Sequence, residues 1–143
     1  MAKVKMIKYI PSTERYHIFC PENYILNEDE GGIVTITSPQ GEINLTLSGY
    51  ESNVKVDTSV LTDLFSTVTE GYETRSNSKI EAFGEGLVME GEYSKNKDHW
   101  IWKIYTKNKN LVVVSINSDG ILKEEFRNII EFMLQNFELY SDR

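Results

Sequence analysis

Few residues in this chain have the type and spacing that chemistry needs. The histidines are His17 and His99, and the sole cysteine is Cys20. A neutral imidazole can act as a general base or a metal ligand near physiological pH, but neither histidine stands at metal-ligand spacing from another donor. Asp98, His99 and Trp100 put a carboxylate, an imidazole and an indole in consecutive positions where a turn gives way to a strand. These three are the candidate ligand or partner contacts. His17 and Cys20 are three apart, a separation that on a strand turns them to opposite faces, so they make no nucleophile–base pair. The run Glu28-Asp29-Glu30 before Gly31-Gly32 has carboxylates of the kind calcium takes. It lacks the spaced ladder and distal glutamate of a calcium loop, and reads as a solvated acidic turn. Ser48 and Ser115 have no glycine-flanked elbow, and no glycine cluster leads from a strand into a helix as a phosphate loop does. Trp100 and Trp102 share one strand face and read as core before they read as a stacking platform. These patterns predict no catalytic residue, no metal site and no cofactor.

The elements that would position these residues centre on 84–117. Gly86–Tyr93, the aromatic run His99–Tyr105 and the β-branched run Leu111–Ile116 predict three consecutive strands of an up-and-down meander. Polar turns are expected at 94–98 and 107–110. In the middle strand Trp100, Trp102 and Ile104 share one face, with Ile101 and Tyr105 on the other, so both faces need cover. Residues 1–15 read as a lysine-rich leader, followed by a single domain over 16–143. Within that domain Tyr16–Cys20 predicts a strand ended by Pro21. Ile33–Thr37 and Glu42–Leu47 predict a hairpin around Ser38-Pro39-Gln40-Gly41. In its return strand Asn44 and Thr46 alternate with Ile43, Leu45 and Leu47, which suggests a sheet edge or a solvated face. Asp57 is placed to cap a helix with the stripe Val60, Leu61, Leu64, Phe65 and Val68. A polar connection then leads to a short strand at 79–83. The closing stripe Leu122, Phe126, Ile129, Ile130, Met133 and Phe137 predicts a long helix over 120–138. Trp102, Ile104, Val112, Val114, Leu64, Phe126, Ile130 and Met133 are expected in the core.

The whole arrangement is α+β: an antiparallel sheet with a C-terminal meander, flanked by two main helices. From about Tyr16 to Leu139 it resembles the PsbP-like superfamily. The resemblance is carried by Phe19-Cys20-Pro21-Glu22-Asn23-Tyr24, with Tyr24 where the pattern has tryptophan, by Ser38-Pro39-Gln40-Gly41, by His99-Trp100-Ile101-Trp102, and by the closing helix. It implies an α/β/α sandwich like that of small bacterial members of this superfamily, most of them non-catalytic.

With 22 acidic and 15 basic residues the net charge is -7, which disfavours affinity for nucleic acid or anionic membranes. No apolar run approaches the length of a membrane span. The cationic start at 1–8 is followed by no apolar stretch or cleavage site, so a soluble cytoplasmic protein is expected; a mature exported form would read the same. The function expected is a non-catalytic binding or interaction module with a protein partner. Two alternatives stay open. One is a small enzyme using His99, Asp98 and a distant carboxylate, and the other is an acidic immunity or antitoxin-like protein with a basic partner. Nothing in the sequence sets an oligomeric state.

Overall fold

The computed structural model describes residues 5–140, so the first four residues of the lysine-rich start lie outside it. Ten strands and two helices follow in the order β1 (Met6–Tyr9), β2 (Tyr16–Pro21), β3 (Ile25–Glu28), β4 (Val34–Thr37), β5 (Ile43–Glu51), α1 (Thr58–Val68), β6 (Glu73–Phe83), β7 (Gly86–Lys95), β8 (Asp98–Lys107), β9 (Asn110–Ser118), α2 (Glu124–Gln135) and β10 (Glu138–Leu139). Seven of the strands form one antiparallel sheet in the order β3-β4-β5-β9-β8-β7-β6, and β1, β2 and β10 form a second, smaller one.

The meander β7-β8-β9 is as the alternation predicts. Its first turn is tighter than expected, because only Asn96 and Lys97 leave the strands. Both have positive φ, 53° and 71°, matching the mirror-image turns that suit a twisted two-residue hairpin. α2 and the small sheet lie on one face of the large sheet, where Ile18, Cys20, Leu45, Val112, Val114 and Met133 share a core. α1 lies on the other, with Leu61 and Phe65 against Met89, Tyr93 and Ile104. Asp57 caps α1 as expected, its side chain accepting from the Val60 N–H at 2.9 Å.

Several expectations are corrected. β5 is an internal strand between β4 and β9, so of the two readings of its polar alternation the open sheet face holds and the edge does not. The edges are β3 and β6, and β6 runs eleven residues from Glu73 where a polar connection and a five-residue strand were expected. Its side chains are almost all exposed and its pairing with β7 shifts register twice, so it carries no apolar alternation to read. α2 is shorter than 120–138. Gly120 has φ +72°, and the Leu122 N–H is taken by a side chain from β8, so the apolar Leu122 and Phe137 flank the helix instead of belonging to it. Met6–Tyr9, inside the expected leader, pairs with β2, and β3 and β10 were not anticipated. Trp102, Leu64 and Phe126 are half-buried, because α1 and α2 each cover only part of the sheet width.

Candidate functional site

The consecutive residues Asp98, His99 and Trp100 do not converge. Asp98 opens β8 opposite Lys95, just past the two-residue turn. Side chains then alternate along the strand, sending His99 to the α2 face and Trp100 to the α1 face.

On the α2 face His99 is buried, at 5% exposure. Its Nδ1 accepts the Leu122 backbone N–H at 3.1 Å, and its Nε2–H therefore donates to Glu92 Oε1 at 2.8 Å. Arg127, early in α2, donates to the same oxygen at 2.9 Å. Burial by itself would raise the Glu92 carboxyl, but hydrogen bonds from Arg127 and His99, reinforced by their charges, outweigh it and hold the group below the usual carboxylate range. Lys103 and Glu90, directly paired across β8 and β7, sit beside this cluster at 2.9 Å. A cleft of about 510 Å³ opens between these strands, the bulged part of β6 and α2. Glu90 meets both Lys79 and Lys103, Glu92 meets Arg127, and both His99 nitrogens are engaged. Chemically the cluster is a bracket tying β7, β8, the segment before α2 and α2 itself. Glu92 and Arg127 were not found from sequence, because their 35-residue separation carries no local signal.

The remaining chemistry-bearing groups lie elsewhere. His17 is buried beside Tyr140, with 2.8 Å between Nδ1 and the phenol oxygen, and burial lowers its pKa. Cys20 faces the core, where burial raises its thiol pKa. The acidic run is used locally. Asp29 Oδ1 accepts from the N–H groups of Gly31 and Ile33, both at 2.9 Å, and Glu28 accepts from Tyr9 and Ser12. Among the described residues no three His, Cys, Asp or Glu side chains gather as a metal site would require.

The α1 face differs in kind. α1 packs on β7 and β8 and reaches Leu111 and Val113 of β9, leaving β4, β5 and the later part of β9 open on that side. The register aligns Thr35, Thr46, Ser115 and Trp102 in one row across the strands. Thr37, Asn44, Asn117 and Trp100 align in the next. None of the eight is charged, although Asp, Glu, Lys and Arg make up 26% of the chain, so the open half is distinct from ordinary solvated surface. Both rows end on the two tryptophans, stacked at 6.0 Å and 10°, with Tyr72 edge-on to each at 5.4 and 5.5 Å. Between α1 and β5 runs a groove of about 600 Å³, walled by Val60, Leu64 and Val68 on one side and by Thr46 and Ser48 on the other. Trp102 lines it, and its buried Nε1 has no hydrogen-bond partner. The polar positions Asn44 and Thr46 were legible in sequence; that α1 would leave them uncovered was not.

No protein-family model matches the chain, and no curated protein matches it. Among solved structures it is similar to the solution structure of cyanobacterial PsbP (CyanoP) from Synechocystis sp. PCC 6803, with a TM-score of 0.73 and 15% identity over 98% of this chain and 95% of that one. It is also similar to a crystal structure from Bacteroides thetaiotaomicron VPI-5482, with a TM-score of 0.63 and 11% identity over 94% of this chain. It spans about half of that second chain, 48%. At these identities the likeness is one of fold, and the fold is PsbP-like.

Proposed function

We propose that the chain is a non-catalytic binding module whose partner is a protein, docked on the open half of the sheet beside α1. The observation that carries this is the pair of charge-free rows ending on stacked Trp100 and Trp102. Depletion of charge together with aromatic anchors is what distinguishes the centre of a protein interface from other surface. The PsbP-like fold is compatible with such a role, though a fold alone names no function. The His99 cluster supports the non-catalytic part of the reading: a general base needs a ring nitrogen within reach of its substrate, and both of these nitrogens are taken by the protein itself.

The test is cross-linking and capture from cells of the native host, with the wild-type chain and with Ser115→Arg. A long cation placed in the middle of the charge-free row should abolish capture of the partner while the melting temperature holds. Capture unaffected by Ser115→Arg, or turnover of a substrate that His99→Gln removes, would overturn the proposal.

A further inference from the structure

The groove wall contributed by α1 is regular. Val60, Leu64 and Val68 are spaced four apart, so they form one of the ridges that helices interlock when they pack side by side. The opposite wall, Thr46 and Ser48 of β5, presents small side chains. The backbone of Thr46 is paired to both β4 and β9 and that of Ser48 to β9, and strand pairing lies in the plane of the sheet, not out from its face. An extended peptide lying on this face would find no backbone partners for its own N–H and C=O groups, whereas a helix satisfies them internally. The floor of Ile104, Leu111 and Val113 is aliphatic, which suits apolar side chains and gives the hydroxyls of a glycan nothing to bond.

We infer that the occupant is an amphipathic helix of the partner protein, laid alongside α1 with its apolar stripe on Val60, Leu64, Val68 and Val113 and basic residues on its flanks. This rests on the protein-binding reading above and narrows it. The charge of the flanks follows from the groove's surroundings. No lysine or arginine lines it, exposed Asp63 follows Val60 by three positions along the solvent side of α1, and Glu51 stands at one end, its carboxylate shared with Arg15 at 3.8 Å. A second copy of this chain is a poor occupant. The outward side of α1 is Thr58, Ser59, Thr62, Asp63, Ser66 and Thr67, without an apolar ridge, and α2 exposes a single large apolar side chain, Phe132.

The probe is a displayed library of random peptides sixteen residues long, selected on the wild-type chain and counter-selected on Thr46→Arg, which fills the groove from its polar wall without touching the core. Enriched peptides are synthesised and titrated by intrinsic fluorescence, which reports this face because both tryptophans of the chain lie on it. Expected are apolar residues at i, i+3, i+4 and i+7 with lysine or arginine beside them, helicity gained on binding, and affinity reduced about tenfold or more by Thr46→Arg. Enrichment of period-two or proline-rich peptides, binding indifferent to Thr46→Arg, or no enrichment at all would overturn the helix. In each of those cases the capture experiment above still decides the protein-binding reading, because it does not depend on the partner's secondary structure. A neutral oligosaccharide that shifts the tryptophan emission and is blocked by Thr46→Arg would also overturn it.

Discussion

His99 Nδ1 accepts the backbone N–H of Leu122 at 3.1 Å, so a side chain in the middle of the sheet fixes the segment that leads into α2. The helix itself has no side-chain cap at Lys123, and this bond anchors the residue just before that position, outside the helix's own first N–H groups. His99→Ala leaves the Leu122 N–H unpaired in a buried setting and removes one of the two donors on Glu92 Oε1, Arg127 remaining, and the expected loss is about 2–4 kcal/mol. Urea unfolding followed by circular dichroism measures it. A loss within error of zero would mean that the bracket does not hold the helix.

Core energetics should divide by how far each helix residue reaches into the sheet. Met133 is 1% exposed, whereas Phe126 is half-buried at the margin of α2. Met133→Ala should cost about 2–5 kcal/mol. Phe126→Ala should cost about 1–2 kcal/mol, since only part of its surface leaves water. The reverse order in denaturant unfolding would contradict the orientation of α2.

The legible parts of the fold were those with strong periodicity. The run from Trp100 to Ile104 alternates, Val60 to Val68 repeats at helical spacing, and Asp57 is a capping residue in a capping position, so the meander and α1 could be read directly. Of β6 only the end at 79–83 was readable, because its first half, exposed on both faces, selects no apolar pattern. β10 is two residues long and exists only through its pairing with β2. His99 was visible as a residue type, but its partners Glu92 and Arg127 come from other elements and meet it only after folding. The open α1 face depended on where the helix settles across the sheet width, which no local pattern encodes.

The turn between β7 and β8 holds Lys97 at φ 71°, in the left-handed region where a side chain costs energy and glycine does not. Lys97→Gly should therefore stabilise the protein by about 0.5–1 kcal/mol. The melting temperature should rise by about 2 °C in a protein of this size. A lower melting temperature would show that Lys97 makes a contribution its backbone strain conceals.

The Cys20 thiol faces the core between β2 and the large sheet, and burial raises its pKa. Less thiolate and no access both suppress nucleophilic attack on a disulfide reagent. The native protein should react with Ellman's reagent at the rate of global or β2 opening, and immediately in denaturant. A fast native reaction would place β2 away from the sheet.

Acid sensitivity should trace to Glu92. Burial pushes its carboxyl up, yet the bonds and charges of Arg127 and His99 prevail, so its folded pKa lies below the ordinary 4.5. A carboxyl depressed on folding binds more protons in the unfolded chain, so stability rises with pH through this range. Its stabilising share is fully present above the unfolded value and is lost as pH falls through the folded one. Glu28 and Glu42 are also held low, by hydrogen bonds from Ser12 and Tyr9 and by hydrogen bonds around the 38–42 turn respectively, but they titrate alike in the wild type and in Glu92→Gln. The difference in unfolding free energy between these two proteins therefore isolates Glu92. It should be largest near neutral pH and shrink on acidification below about pH 5, because glutamine mimics the protonated carboxyl. Urea titrations at half-unit intervals from pH 7 to 3 measure it. A difference that stays constant across the series, or grows towards acid, would show that Glu92 is not held as a carboxylate by Arg127 and His99.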